Sequence, residues 1–113
     1  MKPTFDSDTE KWAFDSFCGS TVPDKRLVKR LIHYARGQAD EPCSSTSASV
    51  RGDLAKREGA FRFLENSRVL PTDIEQGPFG ATSRRCHGRE RILLVQDTTT
   101  VSVASKTLRE ELV

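Results

Sequence analysis

Residues 22–37 read VPDKRLVKRLIHYARG, and this stretch decides the fold class. Leu27, Val28, Leu31, Ile32 and Ala35 recur at three- and four-residue spacing, which makes one apolar stripe along a helix. Asp24 stands ahead of the stripe as an N-cap, and Gly37 stands where a residue just past the helix end is expected. Lys25, Arg26, Lys29, Arg30, His33 and Arg36 are left outside, so the outer face is almost wholly basic. Like charges four residues apart, Lys25 with Lys29 and Arg26 with Arg30, cost a few tenths of a kcal/mol each. A bound polyanion removes that cost, whereas the plainer reading is a solvated helix face.

Upstream, DTEKWAFDSF (8–17) predicts a short helix capped by Asp8 or Thr9, docking through Trp12, Ala13, Phe17 and the neighbouring Phe14. Downstream, QADEPCSSTSASV (38–50) is polar, Ser-rich and aperiodic, and reads as a loop. RGDLAKREGAFRFLENS (51–67) predicts a second long helix, capped by Asp53, with Leu54, Phe61 and Leu64 on its buried face and Ala60 nearby. Gly59 inside it costs about 1 kcal/mol relative to alanine, which suggests close approach to another backbone. Trp12, Phe14, Phe17, Phe61 and Phe63 are read as core rather than as base-stacking platforms. In 68–91, Pro71 suits a first helical turn, but Gly77, Pro78 and Gly80 predict a break before a second helical stretch through Arg84 to Cys86. Ile92–Val95 then reads as a buried strand leading to Asp97, with Val101–Val103 returning as the second arm of a short hairpin and a frayed helix at the end.

The chain has 113 residues, enough for one small domain or one domain plus a fragment of another. Its net charge of +2 is unevenly spread: residues 24–37 hold five Lys/Arg against one Asp, and residues 84–91 hold four Arg against one Glu. Local basic patches of this kind hold a polyanion even in a nearly neutral protein. Three cysteines in no CxxC pair argue against a disulfide framework and for a reducing, cytoplasmic location. Cys86-His87 lacks further ligands at zinc spacing. No signal-peptide core and no apolar run of membrane-spanning length is present, so no membrane partner is expected.

Four separated pieces occur together: W-A-x-x-x-F from Trp12, D-K-R-L-x-x-R-L from Asp24, E-G-A-F-R-F-L-E-N from Glu58, and I-L-L-V-Q-D-T-T from Ile92. In this order and spacing they resemble Tn-five-type transposases, the insertion-sequence-four group of cut-and-paste enzymes, over residues 10–103. The resemblance implies a mainly α fold. It implies that 10–88 form a helical domain binding double-stranded DNA at the terminal inverted repeats and that 89–113 are the truncated start of an RNase H-like core, with its strand or short hairpin; residues 1–9 are expected to be a disordered N-terminus. It implies end-binding roles for Arg26, Arg30 and Arg62, with Lys25, Lys29 and His33 sharing the exposed face as nonspecific phosphate contacts. The plainer reading pairs the arginines with Asp24, Glu58 and Glu65.

The resemblance also makes Asp97 the first of three carboxylates holding two divalent ions, Mg2+ or Mn2+, about 3.5 to 4 Å apart. The second Asp and the Glu are not supplied by these residues, so no cofactor is expected in this chain and Asp97 is expected as a remnant. The plainer reading makes Asp97 a turn residue bonding a nearby amide. The function expected is a monomeric, nucleoid-associated DNA-binding fragment without catalysis, competing with full-length transposase for transposon ends. The alternatives are one part of a split transposase completed by another polypeptide, or a gene remnant.

Overall fold

A computed structural model describes residues 2–50 and 53–112. The protein is mainly helical, with no strand among the described residues. Helix α1 spans Asp8–Phe17. Its cap is Ser7, whose hydroxyl accepts from the Glu10 amide at 3.1 Å, while the Glu10 carboxylate accepts from the Asp6 amide at 2.6 Å. Asp8 and Thr9, expected as caps and as the end of an unstructured leader, are therefore the first residues of the helix. Phe5 folds back onto Phe14 with ring centroids 5.2 Å apart.

Helix α2, Lys25–Asp40, is capped by Asp24 through the Arg26 amide at 2.8 Å. Leu27, Leu31 and Ala35 are buried, with Val28 and Ile32 half-buried beside them, so the stripe read from the sequence is the packed face. The helix does not stop at Gly37. That glycine has no left-handed backbone. It is required because a β-carbon there would come within 2.6 Å of the Ser49 carbonyl oxygen. Ser49 belongs to α3, Thr46–Ser49, a single turn in the expected loop, tied to α2 by a 3.1 Å hydrogen bond between the Tyr34 and Thr46 hydroxyls.

Helix α4, Leu54–Glu65, begins at Asp53 as expected, through the Lys56 amide at 3.0 Å. Arg51 and Gly52, the start of the stretch read as this helix, lie outside the described residues. Its buried face differs from the expected one: Gly59, Ala60 and Phe63 are buried, whereas Leu54, Phe61 and Leu64 are exposed. The reason is proximity, since small residues at 59 and 60 let α2 come close enough for Phe63 to reach Leu27, Leu31 and Val22. Beside Gly59 lies the Arg30 side chain, at ordinary contact distance, and not another backbone.

Helix α5 is continuous over Pro71–Cys86, with Pro78 inside it, so the expected break is absent. Proline removes the amide that would bond the carbonyl four residues earlier, that of Ile74. The Ser20 hydroxyl donates to that carbonyl at 2.8 Å and replaces the missing donor. Thr21 adds two bonds to Asp73, from its amide to the carbonyl and from its hydroxyl to the carboxylate, both 3.0 Å. A β-carbon on Gly77 would fall 2.5 Å from the Ser20 Oγ and 2.8 Å from the Ser16 carbonyl oxygen, so only glycine admits this approach of α5 to the end of α1. The glycine and proline signals that predict a break are thus the contact surface of an intact helix.

Thus α1 packs on α2 and α5, and α2 packs on α3 and α4. The final helix α6, Lys106–Glu111, packs on no other helix. The expected strand and hairpin are not formed: Ile92–Val95 are in no regular element and are exposed, with Leu93 and Leu94 both at 92%. The reason is that an isolated two-stranded hairpin is marginal in water, and no sheet stands by to cover its apolar face.

The Ser20–Ile74 bond yields a double-mutant test by urea unfolding. Ser20→Ala should destabilise by about 1–3 kcal/mol, because it leaves a shielded carbonyl unpaired. In a Pro78→Ala background, where the residue 78 amide returns, the same substitution should cost distinctly less. Equal costs in both backgrounds would rule out the compensation.

Candidate nucleic-acid interface

Helices α2 and α4 run antiparallel. Phe63 closes on Leu27 and Leu31, Gly59 meets Arg30, and Lys56 shares with His33 the wall of a cavity of about 230 Å³, so α4 numbers fall as α2 numbers rise. The same register places Arg26 and Arg62 toward one end of the pair. At about 100° per residue, Lys25, Lys29, His33, Arg26 and Arg30 follow one another around an arc of about 140° on α2. Lys25 and Lys29 border a hollow of about 640 Å³ with Phe5, Phe14 and Cys18, while Arg30 faces α4. His33 borders both, at the centre of the arc.

All five of these side chains are exposed. Among the described residues, Lys25, Arg26, Lys29 and Arg30 have no carboxylate in salt-bridge range. The Asp24 carboxylate is occupied in capping, and Arg26 uses it only through its amide. Two neighbouring cations are matched: Arg36 lies 3.3 Å from Glu10 and 3.6 Å from Asp40, and Lys56 lies 3.9 Å from Asp53. Arg62 lies 3.8 Å from Glu58 with both groups well exposed, a surface pair of little energy that a phosphate displaces readily.

Lys56 was not singled out in the sequence. The signal was there: Lys56, Gly59, Ala60 and Phe63 repeat at helical spacing, so a stripe anchored on Phe63 instead of Leu64 turns Lys56 toward α2. Partial burial, then the positive charges of Lys56, Lys29 and Arg36, lower the His33 pKa from its usual 6.5, with Glu10 acting in the opposite sense.

Asp97 lies apart from this surface. It is exposed, and its carboxylate accepts from the adjacent Thr98 amide at 2.8 Å. Among the described residues, no group of three His, Cys, Asp or Glu side chains is placed to hold a metal ion. A single carboxylate engaged with the next amide does not fit the pair of divalent ions implied by the resemblance. Among those residues, too, no helix is long and apolar enough to cross a membrane.

A small helical domain whose longest amphipathic helix turns an uncompensated basic face outward defines a polyanion-binding module. The chain belongs to the transposase DNA-binding family, which matches residues 9–69 and so takes in α1 to α4. No solved structure matches the chain.

The lowered pKa of His33 fixes a sign for pH dependence. The unfolded chain takes up the proton more readily, so the contribution of neutral His33 is full above about pH 6.5 and is lost as pH falls through that value toward the lower folded pKa. Urea midpoints between pH 7.5 and 5.5 should therefore fall with acidification, and less steeply in His33→Gln. An identical slope in the variant would remove His33 as the source.

Proposed function

We propose that the domain recognises the terminal inverted repeats of a transposon, with α2 laid against the DNA and α4 supporting it. The observation that carries this reading is the row of cations on α2, Lys25, Arg26, Lys29 and Arg30, without acidic partners among the described residues. Lys25 and Lys29 act as point charges on phosphate oxygens, with His33 between them. Arg26 and Arg30 present planar guanidinium forks suited to a phosphate or to the O6 and N7 edge of a guanine. Arg62, at the same end as Arg26, supplies a further contact from α4, and Lys56 adds charge behind Arg30. Membership in the Tn-five-type group is part of the same proposal, supported by the W-A-x-x-x-F, D-K-R-L-x-x-R-L and E-G-A-F-R-F-L-E-N segments.

The chain itself is proposed to bind without cutting, because among the described residues no further carboxylates gather with Asp97 to hold a metal ion. Such a chain competes with full-length transposase for the same ends. A second reading is favoured by the exposed Ile92–Val95: this apolar run completes a sheet of an RNase H-like core contributed by another polypeptide, which then uses Asp97.

Titration against a duplex bearing the terminal repeat of the parent element, and against a scrambled duplex, at two salt concentrations tests the first reading. The repeat should bind more tightly, and Arg26→Ala with Arg30→Ala should reduce the salt slope by about 2 if both touch phosphate. Equal weak binding to both duplexes sinks specific end recognition. Incubation with Mg2+ or Mn2+ should leave the DNA uncut; nicking that disappears in Asp97→Ala would overturn the non-catalytic reading. Nicking that requires an added core polypeptide would favour the second.

A further inference from the structure

We propose that Arg84, Arg85, Arg89 and Arg91 form a second contact for the DNA backbone, continuous with the basic face of α2 and indifferent to base sequence. This rests on the DNA-binding reading above and extends the surface beyond residues 9–69, where the family match ends. Four arginines against Glu90 alone leave residues 84–91 with a net charge of +3. All four are exposed, and none is in salt-bridge range of a carboxylate among the described residues.

Cations at the end of α5 also favour its dipole, which accounts for Arg84 and Arg85. It does not account for Arg89 and Arg91. These lie past the helix, beyond Gly88, whose φ of 73° turns the chain.

The place of this group in the fold links it to α2. Cys18, just after α1, borders both the hollow shared with Lys25 and Lys29 and a smaller one, of about 200 Å³, shared with Arg84 and Arg85. The two basic groups therefore flank a single residue. The acids nearest this route are already matched, Asp15 by Lys11 at 2.8 Å and Glu10 by Arg36 at 3.3 Å. The link is also rigid: Gly77 abuts the end of α1, and Arg85 donates to the Ser16 hydroxyl at 3.1 Å. A duplex lying across α2 would meet Arg84 and Arg85 held on α5, with Arg89 and Arg91 following past Gly88, each guanidinium offering several N–H donors to phosphate oxygens.

The test uses the full chain with Arg84→Ala, Arg89→Ala and Arg91→Ala combined, leaving Arg85 in place because it holds Ser16. The slope of log K against log salt should fall by about two to three units, near 0.9 for each phosphate that is no longer neutralised. Repeat and scrambled duplexes should fall in affinity by the same factor. The corresponding triple lysine variant should keep most of the slope, which separates removal of charge from failure to fold. An unchanged slope, or a weakening confined to the repeat duplex, overturns the proposal. Arg26→Ala with Arg30→Ala is measured alongside. If that pair leaves binding intact, the parent reading fails; if it weakens binding and the triple alanine variant does not, only the second contact fails.

Discussion

Phe63 is the large side chain that this domain takes wholly out of water, at 1% exposure, and the arrangement of the helices follows from seating it. It rests on Leu27, Leu31 and Val22, so α4 must cross α2 closely, and Gly59 and Ala60 are the residues that permit this. Around this contact the apolar volume is slight, since the rest of the buried apolar set is largely alanine: Ala13, Ala35, Ala60 and Ala81. A domain with so few large buried groups gains cohesion by bringing backbones together, and Gly37 against Ser49 and Gly77 against Ser16 and Ser20 are where it does so. Close approach in turn demands that polar groups caught between helices be paired, as the Ile74 carbonyl is by Ser20.

The same economy shapes the surface. With one helical stripe committed to Phe63 and its neighbours, α2 leaves Lys25, Arg26, Lys29, Arg30 and His33 exposed, and this face carries no acid. Those cations repel one another at a modest cost in the free protein. Several acids of the domain are spent elsewhere, on caps at Asp24 and Asp53 and on pairs with Lys11 and Arg36. The positive field is thus a product of where the carboxylates are used as much as of how many arginines there are.

The sequence was most legible at α2, where a strong apolar period, an Asp cap and an unbroken basic face all agree. The start of α4 was legible for the same reason, through Asp53. Its buried face was not, because Leu54, Phe61 and Leu64 dominate any hydropathy pattern while glycine and alanine, which govern the contact, hardly register. Pro78 was read as a breaker because its compensating donor, Ser20, lies 54 residues away from Ile74 and no local pattern announces it. Ile92–Val95 has strand composition, but strand formation depends on partners, and that information is not local. Of the candidate site, the α2 cations were readable as a group, whereas Lys56 emerged only from the helix register, and Arg84 and Arg85 joined them only through the tertiary position of Cys18.

Ile92–Val95 also bears on the lifetime of the protein. An uncharged segment with exposed leucines and no regular structure is what proteases bind and other unpaired strands seek. Residues 92–105, beyond the last of the arginines at 84–91, carry no helix and no strand to shield their backbone. Cleavage there would leave α1 to α5, and so the basic face, intact. The binding surface is therefore built to outlast the chain that follows it.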